Sequence, residues 1–183
     1  DLEGFSASDL KEWHASTFQP QNIMLCGSGS LSAQEARNTL NTLLAEWASE
    51  EAATEISIPE AEQAAEPGIY LMHRDQAQAH VRVGHLSYQR DNEDYYALLV
   101  MNHILGGGSF SSRITQEVRV KNGLSYVSGC AFSMPEYYVG PYQAYAQTKN
   151  ATAAFAVKLI LREINRIRSE KVSDEELNTA KQY

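Results

Sequence analysis

Glycine residues divide the segment 104–126 into separate elements, and this constrains the fold more than any other feature of the sequence. Three consecutive glycines, Gly106, Gly107 and Gly108, follow an apolar helical pattern and predict that the helix ends there. A second helix is predicted to follow and to end at Gly123, because glycine readily takes the left-handed conformation that closes a helix. Residue 119 is therefore expected in the last turns of that helix, and residue 126 at the start of a strand.

Capping signals and hydrophobic periodicity predict the other helices. A serine or aspartate followed by an acidic residue three positions later marks four helix starts: Ser6 with Asp9, Ser32 with Glu35, Asp91 with Asp94, and Ser173 with Glu176. An apolar stripe over residues 155–167 predicts a longer helix before the last one.

Five short runs have the apolar or alternating pattern of β-strands: residues 22–29, 69–72, 80–88, 124–133 and 138–147. The last two flank a short connection rich in aromatic residues and predict an antiparallel hairpin. Because hairpin-like pairing dominates, we predict an α+β fold, with an antiparallel-rich sheet and helices packed on one of its faces.

Length and composition indicate one domain taken from a longer protein. A chain of 183 residues has the length of a single domain, and we expect residues 1–183 to form one. Seven glutamates and no basic residue lie between Glu46 and Glu66, which indicates a solvated connection; a docking strip for a basic partner is the alternative. The sequence begins at Asp1 without an initiator methionine or a signal-peptide pattern, so we expect a fragment of a longer chain.

Charge and hydropathy argue against several classes of function. The net charge of −8 disfavours nucleic acid as a partner, because non-specific binding to nucleic acid depends on clustered Lys and Arg. No apolar run approaches the ~18 residues that a membrane span requires. Cys26 and Cys130 have no C-x-x-C spacing, and we expect small buried residues rather than metal ligands at these positions.

The sequence contains no local motif for a metal or a phosphate group. None of its five histidines stands in H-E-x-x-H or H-x-x-E-H, the spacings that place two imidazoles one helical turn apart. His80 and His85 are expected on opposite faces of a strand, so a shared metal is not expected. The run Gly106-Gly107-Gly108-Ser109 lacks the lysine of a P-loop and the third spaced glycine of a dinucleotide fingerprint.

Arg119 and Tyr126 have two interpretations. In the structural one, Arg119 interacts with the helix dipole or with an acidic residue, and Tyr126 is a half-buried strand aromatic. In the functional one, the two side chains converge near the turn and face a carbonyl group that gains charge during acyl transfer. The spacing alone leaves both open.

The segment 104–126, reading I-L-G-G-G-S-F-S-S-R-I-T-Q-E-V-R-V-K-N-G-L-S-Y, resembles the signature of the pitrilysin (insulinase) family of zinc metallopeptidases. The resemblance is to the C-terminal-type domain of that family, which includes mitochondrial processing peptidase. It extends over nearly the whole chain, from F-S-A-S-D-L-K-E-W-H to V-S-D-E-E-L-N-T-A-K. The chain is therefore expected to be a C-terminal-type domain that does not bind zinc.

The resemblance implies an active site divided between two domains. A homologous N-terminal-type domain, in the same chain or in a partner subunit, would hold zinc in an H-x-x-E-H motif. The zinc-bound water in that domain would hydrolyse an extended peptide, with a glutamate as general base. The present segment would carry no cofactor and would be inactive alone.

Two sets of residues take on roles by this resemblance. Arg119 and Tyr126 fall where the family places an Arg/Tyr pair that contacts the substrate backbone beside the zinc. The run Gly106-Gly107-Gly108-Ser109 falls where processing peptidases have a substrate-contacting glycine-rich loop, although the run is shorter here. The alternative is a non-catalytic scaffold or partner subunit of the same family that has lost its peptidase activity.

Overall fold

The computed structural model describes residues 2–47, 57–59 and 66–182, which divide into two compact units, Asp1–Ser57 and Ile58–Tyr183. Most of the predicted glutamate-rich connection lies outside the described residues. The expectation of a single domain over residues 1–183 stays a prediction.

The described residues of the first unit form two α-helices, and both begin where the capping boxes predicted. Helix α1 covers Ala7–Thr17, and α2 covers Ala33–Leu43. At α1 the Asp9 backbone N–H donates to the Ser6 hydroxyl at 3.3 Å, and the Asp9 carboxylate accepts from the Ser6 N–H at 2.7 Å. An equivalent pair of hydrogen bonds caps α2. Short 3₁₀ turns lie at Leu2–Gly4, Pro20–Asn22 and Ala45–Trp47.

The predictions of strands at residues 22–29 and 69–72 are wrong, since neither run pairs into a sheet among the described residues. Their side chains are exposed, as Met24 at 87% and Ile69 at 99% show. Cys26, which was expected to be buried, is exposed together with the first run. A strand requires a neighbouring chain to bond its backbone N–H and C=O groups, and an apolar run provides none by itself.

A three-stranded antiparallel sheet organises the second unit, with β1 at Gln78–Leu86, β2 at Ser125–Phe132 and β3 at Pro141–Lys149. The strand order is β1-β3-β2, so β3 is the central strand. The pairing of β2 with β3 confirms the predicted hairpin.

Four helices accompany the sheet in the described part of this unit, and two of them contain wider turns. Helix α3 covers Tyr95–Asn102 and continues through a π-helical turn at His103–Gly107. Helix α4 begins at Arg113–Thr115 and continues through π-helical turns at Gln116–Lys121. The remaining elements are α5 at Ala153–Ser169, α6 at Asp174–Gln182, and 3₁₀ turns at Ser109–Ser111 and Asn150–Thr152.

Helix α3 begins later than the prediction of a cap at Asp91 implied. Its first residue is Tyr95, and Asp94 precedes it without a capping hydrogen bond from its side chain. The Asn92 side chain instead accepts from the Asp94 N–H at 2.9 Å, and the Asn92 carbonyl accepts from the Tyr95 N–H at 3.0 Å. This asparagine-centred turn occupies the residues that the predicted first helical turn required.

The hydrophobic core lies on one face of the sheet. Alternate residues of β3 point to that face and are buried: Tyr142, Ala144, Ala146 and Thr148. Cys130 of β2 is buried there as predicted, and burial raises the pKa of its thiol to about 12. Helix residues complete the core: Leu105, Ile114, Val118, Ala156, Leu159 and Ile160. The predicted α+β fold, with helices packed on one face of an antiparallel sheet, is confirmed.

A bidentate ion pair connects α4 to α6. Nε and Nη2 of Arg113 donate to the two carboxylate oxygens of Glu176 at 2.6 and 2.8 Å. The Glu176 carboxylate also accepts from the Ser173 N–H at 2.9 Å, which completes the predicted capping box. These interactions, chiefly the hydrogen bonds from Arg113, lower the pKa of Glu176 to about 2. Since the Arg113 side chain is 6% exposed, loss of its partner would leave a buried charge.

We expect the Arg113–Glu176 pair to make stability depend on pH. A carboxyl group whose pKa falls from 4.5 in the unfolded chain to about 2 in the folded one stabilises the fold above pH 4.5. That contribution is lost as the pH falls towards 2. Glu176→Gln should therefore lower the free energy of unfolding at pH 7 by on the order of 3 kcal/mol, and by less at pH 3. Urea unfolding at pH 7, 5, 4 and 3 measures the difference.

Glu175→Gln is the matched control, because Glu175 is the adjacent acidic residue of α6 and is exposed. It should stay within about 0.5 kcal/mol of the unchanged protein at every pH. An effect of Glu176→Gln that is the same at pH 7 and pH 3 would contradict the contribution of the ion pair.

Candidate functional site

The guanidinium of Arg119 contacts two aromatic rings. Its Cζ atom is 4.3 Å from the centroid of the Phe110 ring and 4.5 Å from the centroid of the Tyr126 ring. The three side chains come from three elements: the 3₁₀ turn after α3, the π-helical turns of α4 and the start of β2. We refer to Phe110, Arg119 and Tyr126 as the stacked site.

The end of α4 brings Arg119 next to Tyr126. Gly123 has a left-handed φ of +60°, as predicted, and its N–H donates to the Arg119 carbonyl at 3.0 Å. The N–H of Leu124 donates to the Val118 carbonyl at 2.9 Å, so the last helical carbonyls find partners as the chain turns. Strand β2 begins at the next residue, and the helix and the strand therefore present adjacent side chains.

A β-bulge at the start of β2 turns Tyr126 towards solvent. Two residues of β2, Tyr126 and Val127, stand opposite the single residue Gln147 of β3. The Ser125 hydroxyl holds the bulge, because it accepts from the Gln147 N–H at 3.3 Å and donates to the Val127 carbonyl. Bulges redirect side chains at sheet edges, and Tyr126 is 80% exposed. It is therefore not the half-buried aromatic of the structural interpretation.

Among the described residues, Arg119 forms no ion pair with a carboxylate. Glu117, two positions earlier on the same helix, pairs instead with Lys121 at 2.5 Å and with Arg162. The hydrogen bond from Lys121 is the main reason that the pKa of Glu117 is lowered. The guanidinium has five N–H donors in a fixed plane, and the phenol of Tyr126 has one O–H donor. Together they can bind a carbonyl or carboxylate oxygen of a ligand.

Gly106 packs directly against strand β2. A Cβ atom at Gly106 would lie 2.4 Å from the Cys130 backbone nitrogen and 2.8 Å from the Gly129 carbonyl carbon. A Cβ atom at Gly129 would in turn lie 2.6 Å from the Gly106 carbonyl oxygen. The π-helical turn and the strand therefore meet backbone to backbone, which only residues without a side chain allow.

The other residues of the predicted substrate loop line a groove. Gly107, Gly108 and Ser109 form one wall of a cavity of about 350 Å³. The remaining lining residues include His103, Thr179 and Gln182. The structure thus divides the predicted set, since Gly106 is buried while its three neighbours face the groove. The stacked site adjoins the groove in the sequence, since Ser109 and Ser111 line the groove and Phe110 between them belongs to the stacked site.

Sequence interpretation did not identify Phe110 or Ser125. The signal for Phe110 is an aromatic residue two positions after Gly108 and nine positions before Arg119. Its turn is well defined, because Ser109 has a left-handed φ of +56° and Gln116 Nε2 donates to the Phe110 carbonyl at 2.5 Å. No sequence signal marks Ser125, since a bulge depends on the register of two strands.

The described residues contain no group of three or more His, Cys, Asp or Glu side chains that could hold a metal ion. The donors present in this part of the chain therefore do not fit a zinc site. Within the same residues, no helix combines the length and the apolar character needed to cross a membrane.

Comparison with known sequences relates nearly the whole chain to one family. Residues 4–183 match the sequence profile of the peptidase M16 inactive domain. The non-peptidase homolog YmxG of Helicobacter pylori is 27% identical over 189 aligned positions, which cover 100% of this chain and 41% of that protein. An uncharacterized zinc protease of Streptomyces coelicolor is 32% identical over 112 residues, 61% of this chain and 24% of that protein.

Solved structures show the same relationship. The crystal structure of a peptidase M16 inactive domain from Pseudomonas fluorescens has a TM-score of 0.76 and 28% identity, over 98% of this chain and 42% of that one. A protease from Helicobacter pylori has a TM-score of 0.82 at 17% identity, over 99% of this chain and 44% of that one, which is a likeness of fold alone. The chain spans less than half the length of the YmxG homolog and of both solved structures.

We expect Gly106→Ala to destabilise the fold by roughly 2 to 3 kcal/mol, because the added Cβ atom would overlap backbone atoms of β2. The strand cannot withdraw without weakening its ladder with β3. Gly68→Ala is the control, since a Cβ atom there would meet nothing closer than 3.7 Å and should cost less than about 0.5 kcal/mol. Urea unfolding measures both, and equally small effects would contradict the backbone packing.

Proposed function

The chain belongs to the peptidase M16 family as a match to its inactive domain, and on that basis we propose that it is the substrate-binding domain of a zinc metalloendopeptidase. The resemblance to pitrilysin-type peptidases seen in the sequence is confirmed by this membership. In the proposal, Arg119 and Tyr126 contact the peptide at the bond that is cleaved, and a second domain provides the metal.

The zinc of this proposal lies outside the chain. Several relatives carry the name zinc protease, whereas the described residues of this chain offer no metal-ligand cluster. The relatives extend well beyond the aligned region, so a homologous zinc-binding domain in the same polypeptide is the first expectation. A partner subunit is the other possible source. The metal supplies Lewis-acid chemistry when it is bound in that domain, and the residues of this chain act on the substrate.

The exposed pair of Arg119 and Tyr126 is the observation that supports the proposal. During peptide hydrolysis the carbonyl oxygen gains negative charge, and hydrogen-bond donors that are already oriented stabilise that charge. The Tyr126 hydroxyl is such a donor, and the neighbouring cation favours negative charge on its acceptor. Both rings contact the guanidinium carbon by their faces, and the planar group keeps its N–H donors for other partners.

The groove beside the glycine run is the proposed path of the peptide away from the stacked site. Gly107 and Gly108 have no side chains, which allows a peptide backbone to approach closely. Ser109, Thr179 and Gln182 add hydroxyl and amide groups that can bond to peptide N–H and C=O groups. The groove has a volume of about 350 Å³, which lies at the lower end of the range for ligand sites.

A scaffold role is the second candidate, and one comparison favours it. The Helicobacter pylori relative that aligns with 100% of this chain carries the name non-peptidase homolog. In such a protein the domain would serve assembly, and Arg119 and Tyr126 would have no substrate to polarise. An H-x-x-E-H motif in the complete polypeptide, together with bound zinc, distinguishes the peptidase from the scaffold.

Tyr126→Phe in the full-length protein should lower kcat for peptide cleavage roughly 100-fold, because the variant keeps the ring over Arg119 and loses the hydroxyl donor. Stability should change by less than about 0.5 kcal/mol, since the side chain is 80% exposed. Steady-state cleavage of an unstructured peptide measures kcat, and the zinc content is determined on the same preparations.

Tyr96→Phe is the matched control, because Tyr96 is 78% exposed and lies on α3, outside the stacked site. It should cleave the peptide at the unchanged rate. Normal turnover by a zinc-containing Tyr126→Phe variant would overturn the role of Tyr126. Absence of both zinc and cleavage in the unchanged protein would favour the scaffold.

A further inference from the structure

We infer that Phe110 is a positioning residue that orients the Arg119 guanidinium towards the peptide, an inference that rests on the proposed function. Phe110 has no group that can donate, accept or transfer a proton, so any effect on the reaction must act through a neighbour. Its ring lies over Arg119, with 4.3 Å between the ring centroid and Cζ.

Contact with two rings restricts the guanidinium more than contact with a single ring. Arginine has a long side chain with a large rotamer entropy, and a guanidinium that contacts only one ring keeps more of its rotamers accessible. The Cζ atom of Arg119 lies 4.5 Å from the centroid of the Tyr126 ring and 4.3 Å from that of the Phe110 ring. Cation–π attraction to both rings therefore favours the rotamers that keep the guanidinium next to the Tyr126 ring.

The turn that carries Phe110 is held by its own hydrogen bonds. Ser109 adopts a φ of +56°, which is uncommon for a residue other than glycine. The Ser109 carbonyl accepts from the N–H of Ser112 at 3.3 Å and from its hydroxyl at 2.8 Å. Gln116 Nε2 donates to the Phe110 carbonyl at 2.5 Å. Because Gln116 and Arg119 lie in the same π-helical turns of α4, this hydrogen bond connects the turn of Phe110 to the element that carries Arg119.

Phe110 does not contribute to the hydrophobic core. Its side chain is 55% exposed, and it is not among the residues that pack in or against the core of the described chain. A role in packing alone would therefore predict a small loss of stability and no specific effect on the reaction. A role in positioning predicts an effect that depends on an aromatic ring and on the presence of Arg119.

The test is a double-mutant cycle in the full-length protein, with Phe110→Leu, Arg119→Ala and the two combined. Leucine keeps an apolar side chain but removes the ring, so kcat/KM for peptide cleavage should fall roughly 5-fold to 10-fold. Phe110→Tyr retains a ring and should stay within about 2-fold of the unchanged enzyme. In the Arg119→Ala background, Phe110→Leu should have no further effect.

Phe155→Leu is the matched control, because Phe155 is 45% exposed and lies on α5, which contributes no residue to the stacked site. It should leave kcat/KM unchanged. An unchanged kcat/KM in Phe110→Leu would overturn the positioning role. So would a loss of kcat/KM on Phe110→Leu that is equal in the unchanged enzyme and in the Arg119→Ala variant. Normal cleavage by Arg119→Ala would instead overturn the proposed function of Arg119.

A readout that does not depend on cleavage separates the two proposals when the full-length protein is inactive. The ¹⁵N–¹H resonance of the Arg119 Nε–H group reports the ring currents of the stacked rings. It should shift in Phe110→Leu and stay in place in Phe155→Leu. A resonance that does not move in Phe110→Leu would show that the ring does not hold the guanidinium, and the inference would be wrong whatever the protein catalyses.

Discussion

The backbone contact between Gly106 and strand β2 is the constraint on which the rest of the structure depends. Because neither Gly106 nor Gly129 has a side chain, the turn that ends α3 lies directly on the strand. The chain leaves that turn through Phe110, passes along α4, and enters the same strand after Gly123. Main-chain packing therefore holds the turn before Phe110 on the strand that carries Tyr126, and the Gln116 side chain joins the Phe110 turn to α4.

Three of the four predicted helix caps and the left-handed Gly123 are confirmed, while the cap at Asp91 is wrong. The hairpin of β2 and β3 is confirmed, and two other predicted strands are wrong. The capping boxes and the left-handed Gly123 involve residues within one helical turn, and the spacing around Gly123 was enough to expect Arg119 near Tyr126. The runs 22–29 and 69–72 required a neighbouring strand that their own residues do not specify. The stacking of Phe110 and the bulge at Tyr126 likewise depend on the conformation of a turn and on strand register, which no residue spacing encodes.

The described chain separates hydrogen-bond donors from metal ligands. It presents a cation and a phenol at its surface, and it offers no cluster that could hold a metal ion. The family description, inactive domain, agrees with the absence of a metal-ligand cluster among the described residues. It says nothing about the exposed cation and phenol. In the proposed function the two properties are complementary, because donors for a charged oxygen and ligands for a cation are most useful when they approach the same bond from different domains. The ion pair of Arg113 with Glu176 further links the helix of Arg119 to α6.

The bulge at Tyr126 and Val127 also limits what can associate with this side of the sheet. Strand β2 is an edge strand of the described sheet, and an edge presents unpaired N–H and C=O groups to which a foreign chain can add. The extra residue breaks the regular repeat of those groups, so an incoming strand cannot continue its ladder past residues 126–127. The same irregularity that exposes a tyrosine hydroxyl thereby interrupts edge-to-edge pairing at the start of β2.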